Sequence, residues 1–314
     1  MKKALIIGAA GFVGGYLIRE LTAAGWEVHA SCLPNENIKE NCTVHTLDIM
    51  DKDSITAVVN SIMPDIIYHL AAQSSVAVSW KKPQLTAEVN VIGTINLLES
   101  LREAEKKDIR TVLIGSGEEY GFIRQGACPL SEEEVLNPGN IYAATKACQG
   151  MLGEIYARAY KMDIVMVRAF NHSGPEQSDI FVISDFCKQA AEIEKGLREP
   201  VISVGNLEAM RDFTDVRDVV RAYRLLGEKG RSGQVYNVGR GKAVKIQFIL
   251  DTVLGFAEKP IEVKRDPNRM RASDIPLIEP DVSKIYADTG WKAEISMEQT
   301  IEDTLNNWRT KLKE

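Results

Sequence analysis

Short apolar runs alternate with amphipathic stretches through the first half of this chain. Ala4–Ile7, Glu27–Ser31, Thr43–Leu47, Ile66–His69, Thr111–Ile114 and Ile164–Arg168 have strand length and strand composition. Between them, apolar positions recur at helical spacing over Phe12–Ala24, Ser54–Ser61, Thr86–Lys106 and Ile141–Tyr160. This alternation predicts an α/β fold, a doubly wound parallel sheet of Rossmann type with helices on both faces. Beyond Gly174-Pro175 the pattern loosens, with Pro, Gly and charged residues spaced through 175–210 and 240–280. Thr214–Gly227 again has a helical pattern and Gln234–Val238 a strand pattern. The expected organisation is a first domain over 1–174, rejoined by 212–240, and a smaller C-terminal lobe built from 175–211 and 241–314.

In such a sheet, ligands bind beyond the carboxyl ends of the strands. Small or polar residues cluster at those ends: Gly8 after the first strand, Asp48 after the third, Ala71-Ala72-Gln73 after the fourth, Ser116 after the fifth and Asn171 after the sixth. Gly8-x-x-Gly11-x-x-Gly14 lies between a strand and a helix, where glycines let backbone amides approach a pyrophosphate at the helix N-terminus. Tyr142 and Lys146 stand at i and i+4 of one helix and face the same way. A phenol ordinarily titrates near about 10, and a neighbouring cation favours its phenolate, so Tyr142 is a candidate general acid or base. A solvated helix face and a plain tight turn are the bland readings of these two motifs. Their joint occurrence favours hydride chemistry.

Composition narrows the class. The chain has 314 residues, 45% of them hydrophobic, enough for a large core. Its net charge of −6 argues against a nucleic-acid partner. Five scattered cysteines, at 32, 42, 128, 148 and 187, read as free thiols of a cytoplasmic protein. The four histidines, at 29, 45, 69 and 172, form no ligand pattern, so no metal site is expected. Met1-Lys2-Lys3 before an apolar stretch resembles a signal peptide only superficially, because glycines interrupt it and Arg19-Glu20 continue the helical pattern. No run reaches the 18 or so apolar residues a membrane span needs, and no membrane partner is expected.

Gly8-Ala-Ala-Gly11-Phe12-Val13-Gly14, Asp48, Leu70-Ala71-Ala72-Gln73, Asn90, Ser116 to Gly121, Tyr142 to Lys146 and Arg211-Asp212-Phe213 together resemble an extended short-chain dehydrogenase/reductase of the nucleotide-sugar epimerase and dehydratase group. The resemblance covers essentially the whole chain. Gly115 to Gly121, Arg168 to Pro175, Val204 to Asp218 and Arg269-Met-Arg271 are similar to the GDP-mannose branch, which holds GDP-mannose 4,6-dehydratases and GDP-4-keto-6-deoxy-D-mannose reductases. The run from Val204 to Asp218 and the short chain point to the reductase.

The resemblance implies NADP or NAD as cofactor, held by Gly8, Gly11, Phe12, Val13, Gly14, Asp48, Ile49, Leu70, Ala71, Ala72, Tyr142 and Lys146. Ser31-Cys32-Leu33 offers no acid for a free ribose 2′-hydroxyl and no arginine for a 2′-phosphate, and the missing acid tilts the choice to NADPH. Tyr142 would be the proton donor, Ser116 would hold the same oxygen, and Lys146 would lower the phenol pKa and bind the nicotinamide ribose. Glu118 matches the dehydratase base at the sugar C5, and a structural role is its alternative. Gly117 departs from the serine or alanine common at that place. Gln73, Asn171, Val182, Arg211, Arg271 and Asp274 are the expected substrate contacts, the two arginines on the diphosphate.

Three functions follow from the resemblance. The first is NAD(P)H-dependent reduction of GDP-4-keto-6-deoxy-D-mannose to GDP-D-rhamnose. The second is dehydration of GDP-mannose, or another nucleotide-sugar epimerase or dehydratase reaction. The third, a dinucleotide-sensing protein without turnover, is disfavoured by the intact Ser116, Tyr142 and Lys146. Related enzymes pair their two long helices across a two-fold axis, so a homodimer is expected.

Overall fold

The computed structural model describes residues 1–124, 126–269 and 276–312. Its strands in chain order are β1 (Lys3–Ile7), β2 (Glu27–Cys32), β3 (Thr43–Thr46), β4 (Ile66–His69), β5 (Arg110–Ser116), β6 (Ile164–Ala169), β7 (Asn171–Ser173), β8 (Val201–Val204), β9 (Met210–Asp215), β10 (Val235–Val238), β11 (Ala243–Lys245), β12 (Glu262–Arg265) and β13 (Leu277–Ile278). Seven of them form one sheet in the order β10-β6-β5-β4-β1-β2-β3, and every neighbouring pair is parallel. The chain leaves β1 toward β2 and β3, then returns to β4 on the other side of β1. That reversal opens a crevice between the carboxyl ends of β1 and β4, where a sheet of this kind binds ligands.

The helices are α1 (Phe12–Ala23), α2 (Lys52–Ile62), α3 (Val76–Lys81), α4 (Pro83–Ala87), α5 (Gly93–Glu103), α6 (Ile141–Tyr160), α7 (Val182–Glu194), α8 (Val216–Lys229), α9 (Ile246–Phe256), α10 (Ser283–Thr289) and α11 (Met297–Lys311). Period-two alternation in β1 shows how the sheet divides its two faces. Ile6 packs with Leu17 and Leu21 of α1 and with Val219 and Tyr223 of α8. Leu5 and Ile7 pack on the opposite face with Ile55 and Val59 of α2 and Leu97 and Leu101 of α5. Burial on both faces explains why these strands read as continuous apolar runs.

A separate apolar cluster joins α7, α9 and α11 through Ile183, Phe186, Ile249, Val253, Ile301 and Leu305, with Ile202 and Val204 of β8. Two small sheets accompany it, β12 beside β8 and β9 beside β7, β11 and β13. The region after Gly174 is therefore more regular than its scattered Pro, Gly and charge suggest.

The long helix expected over 86–106 is broken. α4 runs into a π-helical turn, Glu88–Ile92, before α5 begins. Asn90 in that turn is fully buried, which a wide turn at a functional site permits. Gly93 follows because a β-carbon there would lie 2.9 Å from the Ile49 side chain. The helix expected from Thr214 starts instead at Val216, since Thr214 and Asp215 still belong to β9 and Asp215 caps the helix through the Arg217 amide.

Candidate active site

The glycine turn is built around two close approaches. Gly8 has φ +81°, and a β-carbon there would stand 2.5 Å from the Ala71 Cα across the crevice. A β-carbon on Gly14 would stand 2.0 Å from the Ala9 carbonyl oxygen. Gly11 differs, because its β-carbon would meet only the Gly8 oxygen, at 3.9 Å, so the space above the turn is open. Gly11 is also the N-cap of α1, with no side-chain cap and no acid in the first turn. The helix thus presents its first amides and the positive end of its dipole to that space, a cradle suited to a dinucleotide pyrophosphate. Leu70 and Ala71 donate their amides to the Ile7 carbonyl, which fixes the far wall. Phe12, stacked on His172 at 6.3 Å, flanks the cradle, while Ile49 lies buried and Asp48 exposed beyond β3.

Ser116, Tyr142 and Lys146 come together at the end of β5 and the first turns of α6. Asn140 caps α6 by accepting the Ala143 amide at 2.9 Å. The Ser116 hydroxyl accepts the Glu118 amide at 3.2 Å and stands close enough to the Tyr142 phenol to favour its phenolate form. Burial is the largest influence on Tyr142 and raises its pKa well above the ordinary phenol value; Ser116 opposes this and the charges of Glu119 and Glu118 add to it. The expected lowering by Lys146 does not occur here. The Lys146 ammonium instead donates to the Ile114 carbonyl at 2.7 Å and to Gln149 Oε1 at 3.0 Å. Burial brings its own pKa down to about 8, against the pull of the Glu119 carboxylate.

Beneath this trio lies a buried ion pair. Glu119 accepts the Ser116 amide at 2.7 Å and the Arg168 Nε at 3.2 Å, and Arg168 also reaches the Tyr120 hydroxyl at 3.1 Å. Asn90 ties the other wall together: it accepts the Gln73 amide at 2.8 Å and donates to the Gln73 carbonyl and to Thr145 Oγ1. Thr94 donates to the Asn90 carbonyl, so it receives the Nε2 proton of His69, whose pKa burial drives down to about 3. His69 is neutral there. The Gln73 side chain donates to Thr86 and accepts the Ser75 amide, which fixes its loop.

On the C-terminal side, Asn171 is exposed on β7 in register with Phe213 of β9, two residues from Arg211. Arg211 Nη1 donates to the Met210 carbonyl at 2.9 Å. Val182 opens α7. Arg271 and Asp274 lie outside the described residues. Glu118 is half-buried, and its carboxylate accepts from Asn140 Nδ2 at 3.2 Å.

The family model described as GDP-mannose 4,6 dehydratase matches residues 5–304. The chain belongs to that family. It is 32% identical to GDP-6-deoxy-D-mannose reductase of Pseudomonas aeruginosa, covering 100% of this chain and 99% of that one. It is 28% identical to a GDP-mannose 4,6-dehydratase of Vibrio cholerae, covering 95% and 91% respectively. Among solved structures, RMD from Pseudomonas aeruginosa complexed with NADPH superposes with a TM-score of 0.88 at 30% identity, covering 99% of this chain and all of that one. UDP-glucose 4-epimerase of Thermus thermophilus complexed with NAD gives a TM-score of 0.86 at 28% identity over 98% of this chain and 99% of that one. The chain is an NAD(P)-dependent nucleotide-sugar enzyme of the extended short-chain dehydrogenase/reductase type.

Within this family member, Glu119, Gln149 and Arg168 escaped the sequence reading. Glu119 adjoins Glu118, and only the fold separates a buried carboxylate from a half-buried one. Arg168 gives a usable signal: an arginine within the apolar run Ile164 to Phe170 needs a buried partner. The partner's identity follows from the register, which sets Gly115 opposite Arg168.

Proposed function

We propose that this chain reduces the 4-keto group of GDP-4-keto-6-deoxy-D-mannose to GDP-D-rhamnose. The carrying observation is the placing of Ser116 beside Tyr142, next to a glycine turn suited to a dinucleotide, in a chain that aligns end to end with a GDP-6-deoxy-D-mannose reductase. The nicotinamide supplies the hydride when bound. Negative charge then develops on the ketone oxygen, and Tyr142 delivers a proton to it from within about 2.6–3.2 Å. A phenol with a raised pKa is fully protonated at neutral pH, the form that this direction of reaction requires. Ser116 holds the same oxygen by a second hydrogen bond. Lys146 places a cation behind the phenol and, on leaving Ile114 and Gln149, reaches a ribose hydroxyl of the nicotinamide. Gln73, Asn171, Val182 and Arg211 line the sugar-nucleotide side, with Arg271 and Asp274 assigned there from sequence.

The test supplies the keto sugar with NADH or NADPH, and GDP-mannose in parallel. Nicotinamide oxidation with the keto sugar alone is expected. Keto-sugar formation from GDP-mannose without net oxidation would replace this reading with the dehydratase.

The dehydratase remains the second reading because Glu118 keeps a carboxylate oriented by Asn140 beside Ser116. Dehydration needs a base at the sugar C5, whereas reduction removes no such proton. Glu118→Gln is therefore expected to slow keto-sugar reduction much less than Tyr142→Phe does. A loss equal to that of Tyr142→Phe would return the dehydratase to the front.

Lys146 gives the reductase a pH signature. Its lowered pKa means that the ammonium dominates below about pH 8 and the neutral amine above it. Since kcat/KM reports the free enzyme, it should decline as pH rises through about 8. A profile level to pH 9.5, roughly one and a half units higher, would remove Lys146 from the mechanism.

The proposed assembly is a homodimer. Met151 and Ile155 form an exposed apolar stripe on α6, with Ile92 and Leu85 exposed on the neighbouring helices. Burying this stripe against its two-fold copy would complete the helix layer. Light scattering is expected to give a dimer for the native chain and a monomer for Ile155→Glu. We also assign 1–174 with 212–240 to cofactor binding, and 175–211 with 241–314 to the nucleotide sugar. All five cysteines are free, which suits the cytoplasm, and no described helix is long and apolar enough to cross a membrane.

A further inference from the structure

We infer that Glu36 makes this chain select NAD(H), with its free ribose 2′-hydroxyl, over the 2′-phosphorylated dinucleotide. The inference rests on reading the Gly8–Gly14 turn as a dinucleotide cradle, and is independent of which sugar is reduced. In a sheet of this order, the adenosine ribose lies beyond the carboxyl end of β2, where an acid binds the 2′-hydroxyl or a cation accommodates a 2′-phosphate. The Ala9 amide donates to the Ser31 carbonyl at 2.8 Å, which joins the glycine turn directly to that strand end.

The last residues of β2 contain no acid, yet the fold returns one to the same point. Leu33 to Glu36 form a tight turn, closed by the Glu36 amide on the Leu33 carbonyl at 3.0 Å. Cys32 Sγ donates to the Glu36 carbonyl at 3.8 Å. Glu36 Oε2 accepts the Leu33 amide at 3.0 Å, so a carboxylate already occupies the first backbone donor past the strand. A phosphate oxygen seeking that donor would meet a like charge. A 2′-hydroxyl can instead donate to the carboxylate. Glu36 also stands about 20 residues beyond the glycine turn, the separation at which a ribose-binding acid acts.

Arg19, the cation of α1, is already engaged by other groups. Glu40, on the same loop, pairs with Arg19 at 3.4 Å and packs against Gly15, its Oε1 2.5 Å from where a β-carbon would stand. Arg19 also lies over the Tyr16 ring at 4.4 Å and within 4.0 Å of Glu176. Of the charged residues over 33–42, Lys39 is cationic, while Glu36 and Glu40 are anionic. Selection works here by repulsion of the wrong ligand as well as by attraction of the right one.

Binding of NADH and NADPH, each followed by nicotinamide fluorescence without any sugar, tests this. The native chain should bind NADH at least roughly tenfold more tightly, since charge contacts at an exposed site are partly screened. Glu36→Gln should shrink the ratio several-fold, chiefly through tighter NADPH binding, and Glu36→Arg should bring NADPH ahead. Glu36 is exposed, so both variants should keep the native unfolding midpoint. Equal or tighter NADPH binding by the native chain, or an unchanged ratio in a folded Glu36→Gln, overturns the assignment. Failure of both dinucleotides to bind would overturn the cradle reading itself, whereas a selective chain that leaves the keto sugar unreduced would count against the proposed reaction alone.

Discussion

Tyr142→Phe is expected to lower turnover on the keto sugar by roughly 10²-fold or more, the contribution of a positioned proton donor. The ring stays, so packing at the start of α6 is preserved. What disappears is the phenol hydroxyl beside Ser116. Ser116 cannot easily replace it, because an aliphatic hydroxyl proton is far less acidic than a phenol's. Dinucleotide binding, measured by titration, should change little, since the cradle lies on the β1 side of the crevice. Unimpaired turnover in this variant would remove Tyr142 from the reaction and leave the Ser116–Tyr142 contact a structural feature.

Gly14→Ala should be the more damaging of two neighbouring substitutions in α1. Its added methyl would stand 2.0 Å from the Ala9 carbonyl oxygen and 2.6 Å from the Ala9 Cα, both backbone atoms. Relief requires the turn to separate from the helix, which opens the cradle and costs about 1–3 kcal/mol or more, as overpacking does. A fall of several degrees in unfolding midpoint and at least roughly a tenfold loss of dinucleotide affinity are expected. Gly15→Ala meets only the mobile end of the Glu40 side chain, at 2.5 Å, and gains the higher helix propensity of alanine. It should be close to neutral in stability. Equal tolerance of both changes would mean that Gly14 does not hold the turn against the helix.

The positions of hydrophobic residues carried most of the fold, because strands buried on both faces and helices buried on one leave different periods in the sequence. Ala4–Ile7, Phe12–Ala24 and Ile141–Tyr160 were legible in this way, and each exists within a residue or so of its expected ends. The glycine turn and the Tyr142–Lys146 spacing were legible for a related reason, since both act over one or two turns of local backbone. The break in the helix after Ala87 left no comparable mark. A π-helical turn is maintained by what Asn90 bonds, and those partners come from other elements.

Protonation shows the same division. A neighbouring lysine suggested a lowered phenol pKa, but burial outweighs that pairing and sends Tyr142 upward, while Lys146 turns to Ile114 and Gln149. Which of two adjacent glutamates is buried, and that Arg168 is its partner, depends on the register of β5 and β6. Likewise, Ser31-Cys32-Leu33 contains no acid, and a turn four residues long brings Glu36 back to the Leu33 amide. Sequence by itself determined the class of fold, the glycine turn between β1 and α1 and the Tyr142–Lys146 spacing on one helix, because each acts over a few residues of local backbone. Tertiary structure alone decided the charges around them, because desolvation and hydrogen bonding depend on atoms that the chain brings together from distant positions.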